Sequence, residues 1–361
     1  MSMTETALRR PKPAQDFAVF WDKACIICGA PIDTKPIGQV REHEYVTTDR
    51  EFPAHQCPKC RLVFLYPRPD VSELPTLYAS DYYSNNLNLD GRDTKEQKSF
   101  VQGLFYKIHA KNYRQRVLPF LPPLKEKRPY RILDVGCGVG AQLDAVRSIL
   151  PNCETFGVEY GAVAASKARS RGHTVYEGRF EDLDLPAEHF DAVMSIHVIE
   201  HVARPDLFLE KCLRVARPDG FVMIETPNTD CVDFDLLKRR HWGGYHTPRH
   251  WYLFRQETVA TLAQRLGCRL VTCRPYTMSN FWAWSAHSLA TAALGRKPAD
   301  LLFPPVKILY GGLQSFVILS FFAVVERMLL AVTGRACSLW FVVRPGGDAP
   351  AYGHAPRPGA V

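Results

Sequence analysis

From residue 131 onward, short apolar runs alternate with stretches of helical periodicity. A run of β-branched and other apolar residues predicts a strand, and apolar residues three or four apart predict an amphipathic helix. Their alternation is typical of a doubly wound α/β sheet. Seven strands are predicted at residues 131–135, 155–158, 174–176, 190–195, 221–226, 269–273 and 338–344. Helices are predicted at residues 141–146, 162–171, 205–215 and 256–266.

The first of these strands runs into a glycine-rich turn. Asp134 is followed by Gly136, Gly138 and Gly140, directly before a predicted helix. Glycines permit positive φ and close approach of a ligand, and a helix N-terminus presents free N–H groups. The spacing formally fits a dinucleotide loop, and a turn without a ligand is the simplest alternative. An acid at position 134 favours a cationic ligand over a pyrophosphate.

Candidate contacts for a nucleoside follow at the ends of later strands. Glu159 ends the second strand, where an acid can bind both hydroxyls of a ribose. Phe180 offers a ring that can stack on a base, and Asp182 offers a carboxylate that can meet its amine. Ser195, at the end of the fourth strand, is a further candidate cofactor contact. Core packing of Phe180 and helix capping by Asp182 are the alternatives.

Two Cys-x-x-Cys pairs, Cys25 with Cys28 and Cys57 with Cys60, precede the sheet. Two such knuckles on separate turns can place four thiolates around a structural Zn²⁺. A zinc ribbon is therefore predicted over residues 17–70, with a strand over 39–47 between the pairs and another over 62–66. Four thiols without metal, or a redox pair, are the alternatives.

The other segments outside the sheet are less regular. Residues 1–16 are polar and contain prolines, so a disordered N-terminus is expected. Residues 71–129 are expected to form a helical linker or cover, including a helix over 99–118. The tail over 345–361 is rich in Gly, Pro and Ala and is expected to be disordered.

An apolar insertion over residues 279–335 separates the sixth and seventh strands. Residues 308–325 carry almost no charge, which is borderline for a membrane span of roughly 20 residues. A single crossing would place two strands of one sheet on opposite sides of the bilayer, and we therefore reject it. The insertion is expected to lie at a membrane surface, to form a hairpin, or to pack within the chain or against a second copy.

Composition adds little that is specific. The chain is 46% hydrophobic and 23% charged, which is typical of a globular protein, and its net charge is +8. A mildly basic protein suits an anionic partner, although ordinary surface charge explains the value equally well. Eleven cysteines, with no apolar stretch near Met1 that resembles a secretory signal, favour reduced thiols in the cytoplasm.

Several short motifs follow one another along the chain. They are Asp-Val-Gly-Cys-Gly-Val-Gly at 134–140, Phe-Asp-Ala-Val at 190–193, Val-Ile-Glu-His-Val at 198–202, Arg-Pro-Asp-Gly at 217–220 and Glu-Thr-Pro-Asn at 225–228. A further segment, Trp-Gly-Gly-Tyr-His-Thr-Pro-Arg-His, occupies 242–250. The set resembles the class I S-adenosylmethionine (SAM) methyltransferases, in particular ubiquinone-type O-methyltransferases and ribbon-bearing nucleotide-sugar C-methyltransferases. The resemblance implies a Rossmann-like methyltransferase domain over 130–344 and SAM as its cofactor.

The acceptor side of the implied site is predicted around five residues. The segment that follows the fourth strand contains His197, Glu200 and His201. In ubiquinone-type enzymes the matching segment is Glu-x-x-Glu-His and is thought to hold a divalent metal, but here His197 replaces the first acid. Catalysis, hydrogen bonding that closes the SAM pocket, and metal binding all remain open. An O–H acceptor needs a general base, for which His197, His246 and His250 are candidates.

The sequence therefore predicts an enzyme that transfers a methyl group to an O or C atom of a small-molecule, sugar or lipid-linked acceptor. The alternatives are an RNA methyltransferase that uses the ribbon to bind nucleic acid, and a SAM-binding module without catalysis. No concentrated basic patch is present, so nucleic acid is not the expected partner. A cytoplasmic enzyme, at the inner face of the membrane if residues 308–325 bind lipid, is expected, and an oligomer is compatible with this.

Overall fold

The computed structural model describes residues 19–20, 24–45, 47–78, 112–124, 128–309 and 312–346. The predicted disorder of residues 1–16 and of nearly all of the tail concerns residues outside this part. Most of the predicted helix over 99–118 also lies outside it, and residues 112–116 are helical.

The N-terminal region forms a small antiparallel sheet. Its strands are β2 (Gly38–Arg41), β3 (Glu51–Gln56) and β4 (Val63–Leu65), after β1 (Val19–Phe20), which pairs with β5 (Arg68–Pro69). A short helix, α1 (Leu74–Leu77), follows.

The strand predicted over 39–47 ends early, at Arg41. The Glu42 carboxylate accepts hydrogen bonds from the backbone N–H groups of Thr47 and Thr48, which closes a loop whose described residues are 42–45, 47 and 48 (the 42–48 loop). A buried carboxylate with local N–H donors competes with continued strand pairing.

The predicted seven-stranded sheet is confirmed. Its strands are β6 (Tyr130–Val135), β7 (Cys153–Glu159), β8 (Thr174–Glu177), β9 (Phe190–Ile196), β10 (Ala216–Pro227), β12 (Arg269–Tyr276) and β13 (Ser338–Arg344). Their order along the sheet is β12-β13-β10-β9-β6-β7-β8, and β13 runs antiparallel to the other six. The central strands are buried on both faces by apolar side chains, as expected for parallel strands.

The four helices predicted between these strands are present. They are α2 (Ala141–Ile149), α3 (Ala162–Ser170), α4 (Pro205–Val215) and α6 (Gln256–Arg265). A further short helix, α5 (Val232–Leu237), was not predicted. Within the described residues, one short strand between α5 and α6, β11 (Tyr252–Leu253), belongs to the other sheet. Tyr252 pairs with Phe64, so the ribbon sheet gains its fourth strand from the far side of the chain.

The insertion between β12 and β13 folds as a helical hairpin. It consists of α7 (Ser279–Leu294), α8 (Arg296–Leu302) and α9 (Leu313–Thr333). Trp282 of α7 stacks on Phe322 of α9, with ring centroids 6.2 Å apart. Helix α9 continues past the charged residue Glu326 to Thr333. The Glu326 carboxylate is buried, and it accepts hydrogen bonds from the backbone N–H groups of Met278 and Cys337.

Helix α9 has the reverse of the usual amphipathic arrangement. Its buried residues are Ser315 and Glu326, whereas none of its large apolar side chains is buried and seven are exposed. The exposed ones are Leu313, Phe316, Val317, Phe321, Val324, Met328 and Val332. By length and composition α9 is the one described helix that could cross a membrane. A soluble helix normally turns its apolar stripe to the core, so this surface lacks its usual cover.

Candidate functional site

The glycine turn lies at the carboxyl edge of the sheet, where ligands of doubly wound proteins bind. Gly136, Gly138 and Gly140 all have positive φ, at 79°, 53° and 83°. A Cβ on Gly136 would lie 2.5 Å from the Cγ2 atom of Val198, so a side chain there would displace the next loop. A Cβ on Gly138 would meet nothing within 4 Å, so this part of the turn borders open space.

Asp134 lies directly beneath this turn. Its side chain is buried, and neither carboxylate oxygen has a hydrogen-bond partner among the described residues. Burial disfavours the charged form, and nearby Glu159 adds like-charge repulsion, so the pKa of Asp134 rises to about 8. A buried carboxyl without a partner fits a site that a cationic or hydrogen-bonding ligand completes.

Glu159 bridges the turn and the next helix. It accepts hydrogen bonds from the backbone N–H of Gly138, at 2.9 Å, and of Gly161, at 2.7 Å. Burial raises the pKa of this carboxyl, and the two N–H donors oppose that rise. Glu159 thus contacts the glycine turn directly and is close enough to Asp134 to raise the pKa of that carboxyl.

The remaining candidate cofactor residues differ in their burial and in their contacts. Ser195 is fully buried, and its hydroxyl lacks a partner among the described residues. Phe180 packs edge-on against Phe208, 5.4 Å between ring centroids, and Lys211 lies over its ring. Asp182 is exposed. The adenine contacts assigned to Phe180 and Asp182 stay predictions.

His197 is held between two carboxylates. Its Nδ1 lies 3.0 Å from Glu200 Oε1 and its Nε2 lies 3.5 Å from Glu225 Oε1. Burial alone would lower the pKa of His197, but the two carboxylates outweigh it and raise the pKa to about 10. His197 is therefore an imidazolium at neutral pH. Its φ of 53° is rare outside glycine and typical of functional sites.

His201 and His250 lie next to Glu200, and the centroids of their two rings are 4.7 Å apart. The Nδ1 of His250 donates to the Gly244 carbonyl, and the Nδ1 of His201 lies 2.8 Å from the Tyr78 hydroxyl. Burial lowers the pKa of both rings, to about 4 for His201. One carboxylate oxygen of Glu200 and one ring nitrogen each of His201 and His250 lie within 4.8 Å of one another. This spacing suits either a divalent cation or a hydrogen-bonded cluster that lines the site.

His246 completes the histidine cluster from the 242–250 segment. It is buried, has a φ of 38°, and stacks on Trp284 of α7 with centroids 5.4 Å apart. Its Nδ1 lies 3.6 Å from Glu44 Oε1 in the ribbon. The predicted catalytic residues therefore converge, and the ribbon and the hairpin both contact them.

The ribbon thiols are gathered as the two knuckles predict. Cys25 Sγ lies 3.6 Å from Cys60 Sγ, Cys28 Sγ lies 3.4 Å from Cys57 Sγ, and all four lie within 4.8 Å of one another. A tetrahedral zinc with Zn–S of about 2.3 Å needs S···S of about 3.8 Å, so the four residues fit the ion. Four protein ligands would leave it no open position.

A sequence profile described as "Methyltransferase domain" matches residues 106–273. This part of the chain is a methyltransferase domain. The match spans the glycine turn, Glu159 and the histidine cluster, which confirms the resemblance drawn from the motifs.

Curated relatives of this domain are partial matches. The ubiquinone biosynthesis O-methyltransferase of Bradyrhizobium sp. (strain ORS 278) is 33% identical over 112 residues, 29% of this chain and 43% of that protein. A probable S-adenosylmethionine-dependent methyltransferase of Mycolicibacterium smegmatis is 31% identical over 97 residues, 27% of this chain and 38% of that protein. The chain thus spans about two fifths of the relatives it matches.

Among solved structures, the domain is similar to Haemonchus contortus phosphoethanolamine N-methyltransferase 2 in complex with S-adenosyl-L-methionine. The identity is 16%, the TM-score is 0.46, and the match covers 79% of this chain and 63% of that one.

Several residues around the methyltransferase site were not predicted. Glu225 binds His197 and pairs with Arg116 at 2.6 Å, and Glu42 pairs with Arg249 at 2.6 Å between two fully buried side chains. Glu225 stands in one of the quoted motifs and could have been suspected. Nothing in the ribbon sequence indicates that the 42–48 loop reaches the site.

Proposed function

We propose that the protein is a SAM-dependent methyltransferase acting on an O or C atom of a small-molecule, sugar or lipid-linked acceptor. The observation that carries this proposal is Asp134, a buried carboxyl without a partner among the described residues, beneath a glycine turn that borders open space. The ubiquinone biosynthesis relatives support a small-molecule acceptor.

In this proposal the cofactor's nucleoside and amino acid portions are held by residues at the carboxyl edge of the sheet. Asp134 provides a negative charge, Glu159 faces the ribose, Gly138 allows the ligand to approach the backbone, and Ser195 offers a hydroxyl. The bound cofactor supplies an activated methyl group on a sulfonium. The chain must then orient the acceptor in line and exclude water.

His246 is the proposed general base. His197 already has two carboxylate partners and is charged. The Nδ1 atoms of His201 and His250 contact backbone carbonyls, and burial holds the pKa of both rings low. His246 has a carboxylate, Glu44, beside one ring nitrogen, which is the arrangement that supports proton uptake by the other.

The hairpin supplies a wall of the proposed acceptor pocket. Phe281 of α7 lies 6.1 Å from His197 and Trp284 lies 5.4 Å from His246, measured between ring centroids. These rings give the acceptor side one apolar wall, which helps to exclude water during transfer.

We further propose that α9 lies on the cytoplasmic surface of a membrane and that the acceptor is lipid-linked. The support is the outward row of apolar side chains on a helix whose two buried residues, Ser315 and Glu326, are both polar. Strands β12 and β13 pair in one sheet on either side of the hairpin, so α9 does not cross the bilayer alone. The same hairpin lines the histidine cluster, which would bring lipid next to the site.

The test is transfer of labelled methyl groups from SAM to separated lipid, glycan and RNA fractions of cells. The lipid or glycan fraction should gain label with the wild-type chain, and His246→Asn should reduce transfer by about 10²-fold or more. His189→Asn, a histidine at the opposite edge of the sheet, is the matched control and should retain activity. Label in RNA alone, or unchanged activity in His246→Asn, would contradict the proposal.

A further inference from the structure

The 42–48 loop of the ribbon packs into the methyltransferase site. Glu42 forms an ion pair with Arg249. The guanidinium carbon of Arg249 also lies over the Tyr45 ring, 4.5 Å from the ring centroid. Tyr45 also meets His246 edge-on at 6.0 Å. The loop therefore forms part of the wall around the histidine cluster.

Glu44 is the residue of this loop that points at a candidate catalytic group. Its Oε1 lies 3.6 Å from His246 Nδ1, and both side chains are more than nine-tenths buried. Trp284 stacks on the His246 ring and His250 lies tilted against it, at 5.4 Å and 5.0 Å between ring centroids. His246 is thus fixed in orientation, with one nitrogen directed at a carboxylate.

The backbone of Glu44 is anchored from the hairpin. Arg296, at the start of α8, donates hydrogen bonds to the carbonyls of His43 and Glu44, at 2.8 Å and 3.1 Å. Burial alone would raise the pKa of Glu44, but His246, His43 and Arg249 outweigh it and lower the pKa to about 2. Glu44 is therefore a carboxylate at neutral pH, in a place set by three separate segments of the chain.

We propose that Glu44 is a positioning residue that holds His246 with Nδ1–H toward the ribbon and Nε2 toward the acceptor. This rests on the proposed role of His246 as the base. When the acceptor atom gains the methyl group, its proton passes to His246 Nε2. The positive charge lost from the sulfonium then resides on an imidazolium beside Glu44, and the proton later leaves to water.

This assignment gives the ribbon a part in catalysis that does not involve its metal. A carboxylate that fixes the tautomer of a histidine base and stabilises its cation is worth orders of magnitude in rate in other enzymes. Here the carboxylate and the base come from separate elements, and the ribbon must be folded for the pair to form.

The first test is spectroscopic and needs no acceptor. In ¹⁵N-histidine-labelled protein at fixed neutral pH, several imidazoles should show a protonated Nδ1, since His250 also donates from this atom. A single one of these signals should disappear in His246→Asn, which assigns it to His246. In Glu44→Gln that resonance should shift toward the other tautomer, because the Gln amide can donate to Nδ1. Glu51→Gln removes an exposed ribbon carboxylate that pairs with Arg41, and it should leave the resonance unchanged. An unchanged His246 resonance in Glu44→Gln would overturn the proposal.

The second test is kinetic, with labelled methyl transfer to whichever cell fraction accepts it. Glu44→Gln should lower kcat by about 10²-fold or more and leave SAM affinity unchanged. When it is added to His246→Asn, it should not lower kcat any further. Equal losses in both backgrounds would indicate a structural role and overturn the proposal. If Glu44→Gln does not fold, Glu44→Asp serves in its place and should retain part of the rate. Absence of transfer to any fraction would sink the proposed function, whereas the tautomer result would still decide the role of Glu44.

Discussion

Replacing Asp134 by Asn should make the ligand-free protein more stable and its SAM binding weaker. The pKa of Asp134 is raised from an ordinary value of 3.8 to about 8, so the folded chain holds this proton more tightly than the unfolded chain. For an acid with a raised folded-state pKa, stability is lost as pH rises from about 4 to about 8. Each pKa unit is worth about 1.4 kcal/mol.

At pH 7 the ionisation penalty of Asp134 amounts to about 4 kcal/mol as an upper bound, since about three pH units separate pH 7 from its unfolded pKa. Burying an Asn amide without a partner costs about 1–3 kcal/mol. The net gain for Asp134→Asn is therefore about 1–3 kcal/mol at pH 7. Between pH 5 and pH 7 the gain should grow by about 2.7 kcal/mol, and this change does not depend on the cost of the amide.

The assays are urea unfolding at several pH values and calorimetric titration with SAM. If the cofactor stabilises ionised Asp134, binding at pH 7 should release about 0.9 proton from the wild-type chain and none from Asp134→Asn. The loss of a charged partner should weaken binding about 10- to 100-fold. As a control, Asp206 is paired with Arg204 and its pKa is lowered, so Asp206→Asn should destabilise the fold at pH 7.

Two results would refute this reasoning. One is an Asp134→Asn protein that is less stable than wild type at pH 7, since the carboxyl would then have a stabilising partner. The other is unchanged SAM affinity with no proton release from the wild type, which would remove Asp134 from the cofactor site. A general loss of folding would lower both the free energy of unfolding and the SAM affinity. The expected result is different, because Asp134→Asn should raise the free energy of unfolding while it weakens SAM binding.

Further predictions concern the ribbon and the hairpin. Metal analysis should find one zinc per chain and Cys57→Ser should lose it; a wild-type chain without zinc would remove the ribbon assignment. Phe321→Glu with Val324→Glu should weaken sedimentation with anionic vesicles about tenfold or more, since each buried side chain contributes about 1.5–3 kcal/mol. The matched control Leu236→Glu, on α5, should bind as wild type does, and equal losses in both would contradict the lipid surface. Burial raises the pKa of Glu326 to about 7, so the cost of ionising this carboxyl is small near pH 5 and grows toward pH 7. At pH 5, Glu326→Ala should lower the free energy of unfolding in urea by about 1–3 kcal/mol, because two backbone N–H groups lose their acceptor. An unchanged free energy of unfolding at pH 5 would contradict a stabilising role for these two hydrogen bonds.

Much of the methyltransferase domain could be predicted because its information is local. Strand β13 was predicted with the observed bounds, since a run of apolar residues flanked by turns specifies a buried strand. The glycine turn was predicted because positive φ at alternate positions requires glycine. The sequence pattern was weaker for Phe180, whose aromatic ring suits a base as well as the core.

The loop at 42–48 could not be read from its own residues. Glu42 and Glu44 look like surface acids in a short polar segment, and only their partners, Arg249 and His246, give them a buried role. Those partners lie some 200 positions away along the chain, and no periodicity connects the two segments.

The sequence by itself determined the order of the sheet elements, the glycine turn with Asp134 and Glu159, and the four thiols of the ribbon. Each depends on backbone conformation or spacing within a short stretch of chain. The tertiary structure decided which histidines have carboxylate partners, that the ribbon sheet receives β11, and that α9 turns its apolar side chains outward. These depend on long-range packing, because the groups that lie against a charge or an apolar surface decide whether it is buried, paired or exposed.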